Sequence, residues 1–509
     1  MIPSADTRRS SPLEIEPQDF RDLGHRVVDR AAEFLATLRS RSVTKGEPPE
    51  VIRQLLGNAP MPEDGTDPGT LLDRAATLLV EHSLFNGHPK FWGYITSSAA
   101  PIGSLGDLLA STINPNVGAY NLSPVATEVE LQTIRWIAEL LGYPPQSAGI
   151  LVSGGNMANF VGFIVACHNQ VPWDLRTDGW NGKPSVAVYA STETHGWLEK
   201  AADIYGLGTK SIRWIDTDDQ LRLRPDSLAE QIDEDKSEGV LPLMVIAAAG
   251  SVGTGAVDPL MRIAEICREH KLWLHADGAY GGFAAMLPDA PGDLKALALA
   301  DSVAVDPHKW LYAPLEAGCA LVKDPTLLKK TFSFHARYYR FDETGGEPPI
   351  NFLEHGPQNS RGFRAFKVWL GLSQAGRKGY REMLETDVAL AGELYRIVSS
   401  HPELEPFSYN LSITTFRFVP KDMRGGKKES EEYLNRLNAE LLDQLQLGGE
   451  AFLSNHVIRG KFVLRVCIVN FRTSRKDIQE IPEIVIRYGR EADARLRLSP
   501  GPPGFPRRS

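Results

Sequence analysis

The stretch Asp301-Ser302-Val303-Ala304-Val305-Asp306-Pro307-His308-Lys309-Trp310-Leu311 decides how this chain reads. Its first half is a short apolar run of strand type, and a lysine follows a few residues past its end. A lysine amine in that place can form a Schiff base with a carbonyl compound once it is desolvated enough to deprotonate. A lone lysine after a strand would mean little. Here a second apolar run, ending in His275-Ala276-Asp277-Gly278-Ala279-Tyr280-Gly281-Gly282, precedes it and sets a carboxylate among small residues.

Outward from this pair the pattern is regular. Between about 100 and 380, strand-like runs at Gly149–Val152, Val186–Ala190, Leu243–Ala248, Leu272–Ala276, Ser302–Val305 and Cys319–Val322 alternate with helical patterns such as Met157–His168 and Pro259–His270. Strands separated by helices predict an α/β fold with a mainly parallel central sheet covered on both faces. Helical periodicity over Glu16–Leu38 and Gly69–His82 predicts an N-terminal helical segment, with an aromatic loop His88–Tyr94 after it. From about 381 a long helix, strands at Leu411–Phe418 and Lys461–Val469 and a helix at Lys476–Tyr488 predict a small α+β domain. The expected divisions are 1–99, 100–380, 381–490 and a disordered tail at 491–509.

Bulk properties exclude several classes. The 509 residues are 42% hydrophobic and 23% charged, ordinary for a globular chain with a large core. A formal net charge of −9, without a long basic block, argues against nucleic-acid and anionic-membrane partners. No apolar run is long enough to span a bilayer, and the N-terminus has no secretory h-region. Cys167, Cys267, Cys319 and Cys467 are far apart in apolar contexts and have no metal-ligand spacing. They read as buried reduced thiols, and cytoplasmic localisation is the expectation.

Five polar motifs follow strand ends, where open α/β sheets bind ligands. Ser153-Gly154-Gly155-Asn156 opens a helix whose free N–H groups suit a phosphate. Thr192-Glu193-Thr194-His195-Gly196 offers a ring that can stack on a planar cofactor. Ala249-Gly250-Ser251-Val252-Gly253-Thr254-Gly255, Asp277 and His308-Lys309 complete the set. Singly, each has an ordinary reading as a turn, an exposed loop histidine, a flexible loop, a helix cap or a surface lysine. Their order and common placement favour one site. A lysine for an aldehyde and a carboxylate for a pyridinium nitrogen are what pyridoxal 5'-phosphate requires of a protein.

With these residues in view, the chain resembles the group II pyridoxal-phosphate decarboxylases of the aromatic-L-amino-acid decarboxylase type. The resemblance runs from about Glu16 to Tyr488 and is most specific at Asp306-Pro307-His308-Lys309-Trp310 and His275-Ala276-Asp277-Gly278-Ala279. It implies a fold-type-I homodimer acting on a small-molecule amino-acid substrate, with active sites at the dimer interface. It implies that Lys309 carries the cofactor, that Asp277 pairs with the ring nitrogen, and that His195 and Ala279 pack on the two ring faces. Gly155, Asn156 and His308 would bind phosphate, with Ser251 also at the cofactor. Tyr94 and Ser97 would line a substrate pocket, that of the partner subunit.

The implied reaction is decarboxylation of an L-amino acid, aromatic by family, to the amine and CO2. The family usually places a proton-donating tyrosine on a mobile loop. Counting back from Arg361-Gly362-Phe363-Arg364 puts Phe352 there, within a loop expected to be mobile from Asp342 to Gly356. A missing hydroxyl implies oxidative production of an aldehyde as an alternative, with Tyr338, Tyr339 or His355 as possible substitutes. A non-catalytic cofactor-binding protein is a further alternative.

Overall fold

The computed structural model describes residues 11–334, 349–424 and 429–498. Seven strands form the large sheet: β1 (Ala148–Val152), β2 (Val186–Ser191), β3 (Ile212–Ile215), β4 (Leu241–Ala248), β5 (Trp273–Asp277), β6 (Ser302–Val305) and β7 (Gly318–Val322). Their order is β1-β7-β6-β5-β4-β2-β3. The neighbours from β6 to β3 are parallel, whereas β7 runs antiparallel to both β6 and β1. Val186 to Ser191 of β2 and Ser302 to Val305 of β6 are buried without alternation. That is the signature of strands covered on both faces, and it explains why their sequences read as unbroken apolar runs.

The strands sit within a residue or two of their expected positions. The chief omission is β3, whose Ile-Arg-Trp-Ile pattern is short and exposes Trp214 at the sheet edge. A four-residue edge strand carries too little periodicity to be read alone.

A second sheet is antiparallel, in the order β10 (Ser454–Ile458), β11 (Lys461–Cys467), β9 (Ile413–Phe418), β8 (Leu404–Asn410). The helices Glu429–Gly448 and Arg475–Leu498 pack on it around a core that includes Leu437, Leu441, Phe416 and Val485. The last helix runs to Leu498, into the stretch expected as tail; residues 499–509 lie outside the described ones.

Between the two sheets runs the element Arg364–Ser400. Its geometry breaks at Gly376 (φ 63°, ψ 171°), a left-handed conformation that glycine adopts without a Cβ penalty. It touches β8 and β9 as well as the helices Pro101–Ile113 and Pro124–Leu141. The expected boundary near 380 therefore falls inside one element, close to its break.

The aromatic loop is built into the small domain. Trp92 is fully buried, donates Nε1–H to Thr473 Oγ1 at 3.2 Å, and accepts from the Cys467 backbone N–H at 3.0 Å. Further upstream, none of the 21 residues of the helix Pro17–Thr37 is buried. No described helix is long and apolar enough to cross a membrane.

Candidate active site

A cavity of about 810 Å³ opens at the carboxyl ends of the large-sheet strands and is closed on one side by β10 and β11. Residues just past β1, β2, β4, β5 and β6 all reach it: Gly155 and Asn156, His195, Ser251, Asp277 and Ala279, and His308 and Lys309. The parallel order does this, because strands running the same way deliver their following loops to one edge.

Asp277 is the last residue of β5. Its Oδ2 accepts from Trp197 Nε1 at 2.8 Å and its Oδ1 from the Ala279 backbone N–H at 3.1 Å. The carboxylate is therefore held in orientation by two donors. Trp197 went unassigned in the sequence; its place two residues after His195 was the only available signal. Beneath it, His275 is fully buried between Ser302 Oγ and Asn159 Oδ1, each at 2.8 Å. Burial first, against the pull of Asp277, drops its pKa to about 4, so it is a neutral spacer.

Lys309 sits on the short turn Pro307–Trp310. Its Nζ lies 3.0 Å from Oδ2 of Asp306, and both residues face the cavity. The other oxygen of Asp306, Oδ1, is buried and has no hydrogen-bond partner among the described residues. Gly155 must be glycine here: a Cβ would come within 2.5 Å of Asp306 Oδ2. His308 donates Nδ1–H to the Ala317 carbonyl, 2.7 Å away. Burial first, then nearby Lys309, hold its pKa low against the opposing carboxylate of Asp306. His195 is lowered in the same way, burial leading and Asp277 opposing. Neutral imidazoles suit packing against a flat ring better than charged ones, which would seek water.

These residues fit pyridoxal phosphate. An amine and an oriented carboxylate share one cavity. A sixteen-residue helix begins at Gly155 with free N–H groups, and His195 and Ala279 face the same space. Asp306 has a buried oxygen still unpaired among the described residues.

Three expected residues have the following places in the single chain. Tyr94 lines this chain's own cavity, where Arg465 Nη1 donates to its carbonyl at 2.9 Å and Ser454 Oγ accepts its N–H at 3.2 Å. Ser97 does not line the cavity; its hydroxyl is committed to the His308 carbonyl at 2.7 Å, and Thr96 lines instead. Phe352 is not at the cavity either. It is 1% exposed in the turn Phe352–Glu354, with the Arg361 guanidinium 4.7 Å above its ring.

The reason is a buried ion pair. Arg361 Nη2 lies 2.5 Å from Glu130 Oε1, both almost wholly buried, and Arg361 also donates to the carbonyls of Val117 and Leu151. Leu353 N–H donates to the Gly118 carbonyl at 2.9 Å. Residues 349–356 are thus anchored, contrary to the expected mobile loop; 342–348, with Tyr338 and Tyr339, lie outside the described residues. His355 is buried, and burial lowers its pKa to about 4.

Two further residues line the cavity from the small domain. His456 Nε2 lies 2.9 Å from Glu193 Oε2. Arg465 is 3% exposed, donates Nε–H to the Gly253 carbonyl at 3.1 Å, and leaves Nη2 buried without a partner among the described residues.

Comparison with known proteins agrees with this geometry. The chain is 32% identical over 478 residues to an aromatic-L-amino-acid decarboxylase of Bacillus atrophaeus, covering 93% of this chain and 96% of that one. It is 28% identical to a phenylacetaldehyde synthase of a Rosa hybrid cultivar, over 92% of this chain and 94% of the other. Among solved structures it is similar to Oryza sativa TDC with PLP and tryptamine, with a TM-score of 0.87, 25% identity, and coverage of 95% and 99%. It is similar also to mouse CSAD, with a TM-score of 0.85, 26% identity, and coverage of 92% and 98%. Residues 49–418 match the pyridoxal-dependent decarboxylase conserved domain, and this chain, a fold-type-I protein, belongs to the pyridoxal-dependent amino-acid decarboxylase family.

Proposed function

We propose that the protein converts an aromatic L-amino acid to its amine and CO2, with Lys309, Asp277 and His195 as its catalytic residues. The observation that carries this is the placement of Lys309 and the doubly bonded Asp277 in one cavity at the strand ends. Pyridoxal phosphate, when bound, supplies the electron sink into which the Cα–carboxylate bond can break. Lys309 would hold the cofactor through its side-chain amine. Asp277, held in orientation by Trp197, would face the ring nitrogen and favour its protonated form. His195 and Ala279 would pack on the ring, and the helix start at Gly155-Asn156 would take the phosphate with His308; Ser251 lines the same cavity. Tyr94 borders the substrate. It is 62% exposed, with its ring beside that of Phe452.

Arg465 favours a second reading of the substrate. Its buried, unpaired Nη2–H groups suit a carboxylate, so an amino acid with an acidic side chain is the alternative. Incubation with a mixture of the twenty amino acids, with products measured by mass spectrometry, separates the readings. Tyramine-, phenethylamine- or tryptamine-type products support the first, and a β- or γ-amino acid supports the second. Aldehyde with peroxide would indicate the oxidative branch, and no CO2 at all would end the decarboxylase reading.

The working unit is a homodimer. Leu79, Ile113, Leu122 and Val125 are each more than 60% exposed, and the unburied helix Pro17–Thr37 needs a partner for its apolar positions. A second copy is the occupant that the family resemblance supports. The four cysteines are free and buried, which suits a reducing compartment, and we place the enzyme in the cytoplasm.

A further inference from the structure

Lys309 stands beside two aromatic side chains that end on one carboxylate oxygen. Trp310 Nε1–H and the Tyr312 hydroxyl donate to Oδ2 of Asp387, at 2.9 Å and 2.7 Å. Asp387 is 1% exposed and lies on the element Arg364–Ser400, past its break at Gly376. Burial is the largest influence on it and raises its carboxyl to about 7, while the bonds from Tyr312, Trp310 and the Asn470 backbone N–H work the other way.

The chain around Lys309 needs such an anchor. Tyr312 has φ 53°, the left-handed region that a bulky side chain disfavours. A residue in that conformation persists only where its surroundings over-determine it. Tyr312 is held at both ends, its hydroxyl by Asp387 and its carbonyl by the Ala100 N–H at 2.8 Å. The turn closes back on itself through Ala313 N–H to the Pro307 carbonyl at 3.2 Å. Trp310 is held on its other side by stacking on Tyr280, ring centres 5.0 Å apart. Tyr280 in turn follows Asp277 and Ala279 in sequence and bonds Ser412 of the small domain at 2.7 Å. An apolar side chain could fill the Asp387 position without the cost of burying a carboxylate. The carboxylate instead fixes two side chains that follow Lys309 in the same turn.

We propose that Asp387 is a positioning residue for Lys309, acting through Trp310 and Tyr312 to set the amine against Asp277 and to tie it to the helix entering the small domain. The proposal rests on Lys309 being the cofactor lysine.

The test uses holoenzymes of Asp387→Asn, Tyr312→Phe and the double variant. Three quantities are read: the melting temperature, the pH midpoint of the visible band of the Lys309-bound cofactor, and the rate of cofactor uptake after its removal. Each single variant is expected to move the midpoint by about half a unit or more and to slow uptake about tenfold, the scale of a lost charge-assisted hydrogen bond. The double variant should be no worse than the more affected single one, because both act through one path. A lowered melting temperature with unchanged midpoint and uptake would reduce Asp387 to structural support and overturn the proposal, as would additive effects in the double variant. If Asp387→Asn does not fold, Tyr312→Phe decides alone. If the wild type shows no band from Lys309, the cofactor assignment itself fails, and this proposal with it.

Discussion

Oδ2 of Asp306 lies 3.0 Å from Nζ of Lys309, and that carboxylate is only 2% exposed. In the sequence Asp306 stands in the motif Asp306-Pro307-His308-Lys309-Trp310 with no role of its own assigned. In the structure it is the fixed negative charge nearest the amine, and its second oxygen is unpaired among the described residues. Asp306→Asn keeps the shape and removes the charge. Cofactor affinity, followed by absorbance titration, should weaken about tenfold. An unchanged affinity would make the pair incidental.

Asp277 is held by Trp197 and by the Ala279 N–H, so an amide there can keep most of the geometry. Asp277→Asn should leave melting nearly unchanged and lower kcat by about a hundredfold or more, because it removes the charge opposite the ring nitrogen. Near-wild-type kcat would take Asp277 out of the mechanism.

Phe352 gives a prediction opposite to the one its sequence position suggested. Its ring is enclosed under Arg361, away from the cavity. Phe352→Tyr should destabilise the protein by about 1–3 kcal/mol through an unpaired buried hydroxyl, and leave the amine-to-aldehyde ratio unchanged. A variant that shifts that ratio would show that this turn reaches the active site during turnover.

The contrast shows where the sequence was legible. Lys309, Asp277, His195, Gly155 and Asn156 all follow strands buried on both faces, whose apolar runs are unmistakable, and parallel topology brings them together without further information. Partners that act across the fold had no such signal. Trp197 meets Asp277 across 80 residues and Arg361 meets Glu130 across 231. Asp387 meets Trp310 across 77. Phe352 lies away from this chain's own cavity, and a gap-free count carries no knowledge of the buried ion pair that pins its turn.

The exposed apolar side chains of the N-terminal half bear on assembly. Sedimentation should give a dimer, and Ile113→Glu or Val125→Glu, at positions 74% exposed in the single chain, should shift it toward monomer with loss of activity. A fully active monomer would remove the dimer from the account.

The central claim is that Lys309 carries pyridoxal phosphate, and borohydride reduction of the holoenzyme followed by peptide mapping tests it most directly. The account predicts a pyridoxyl group on the peptide containing Lys309, and its loss in Lys309→Ala. A label on another lysine, or retention of a stoichiometric label in Lys309→Ala, would contradict it.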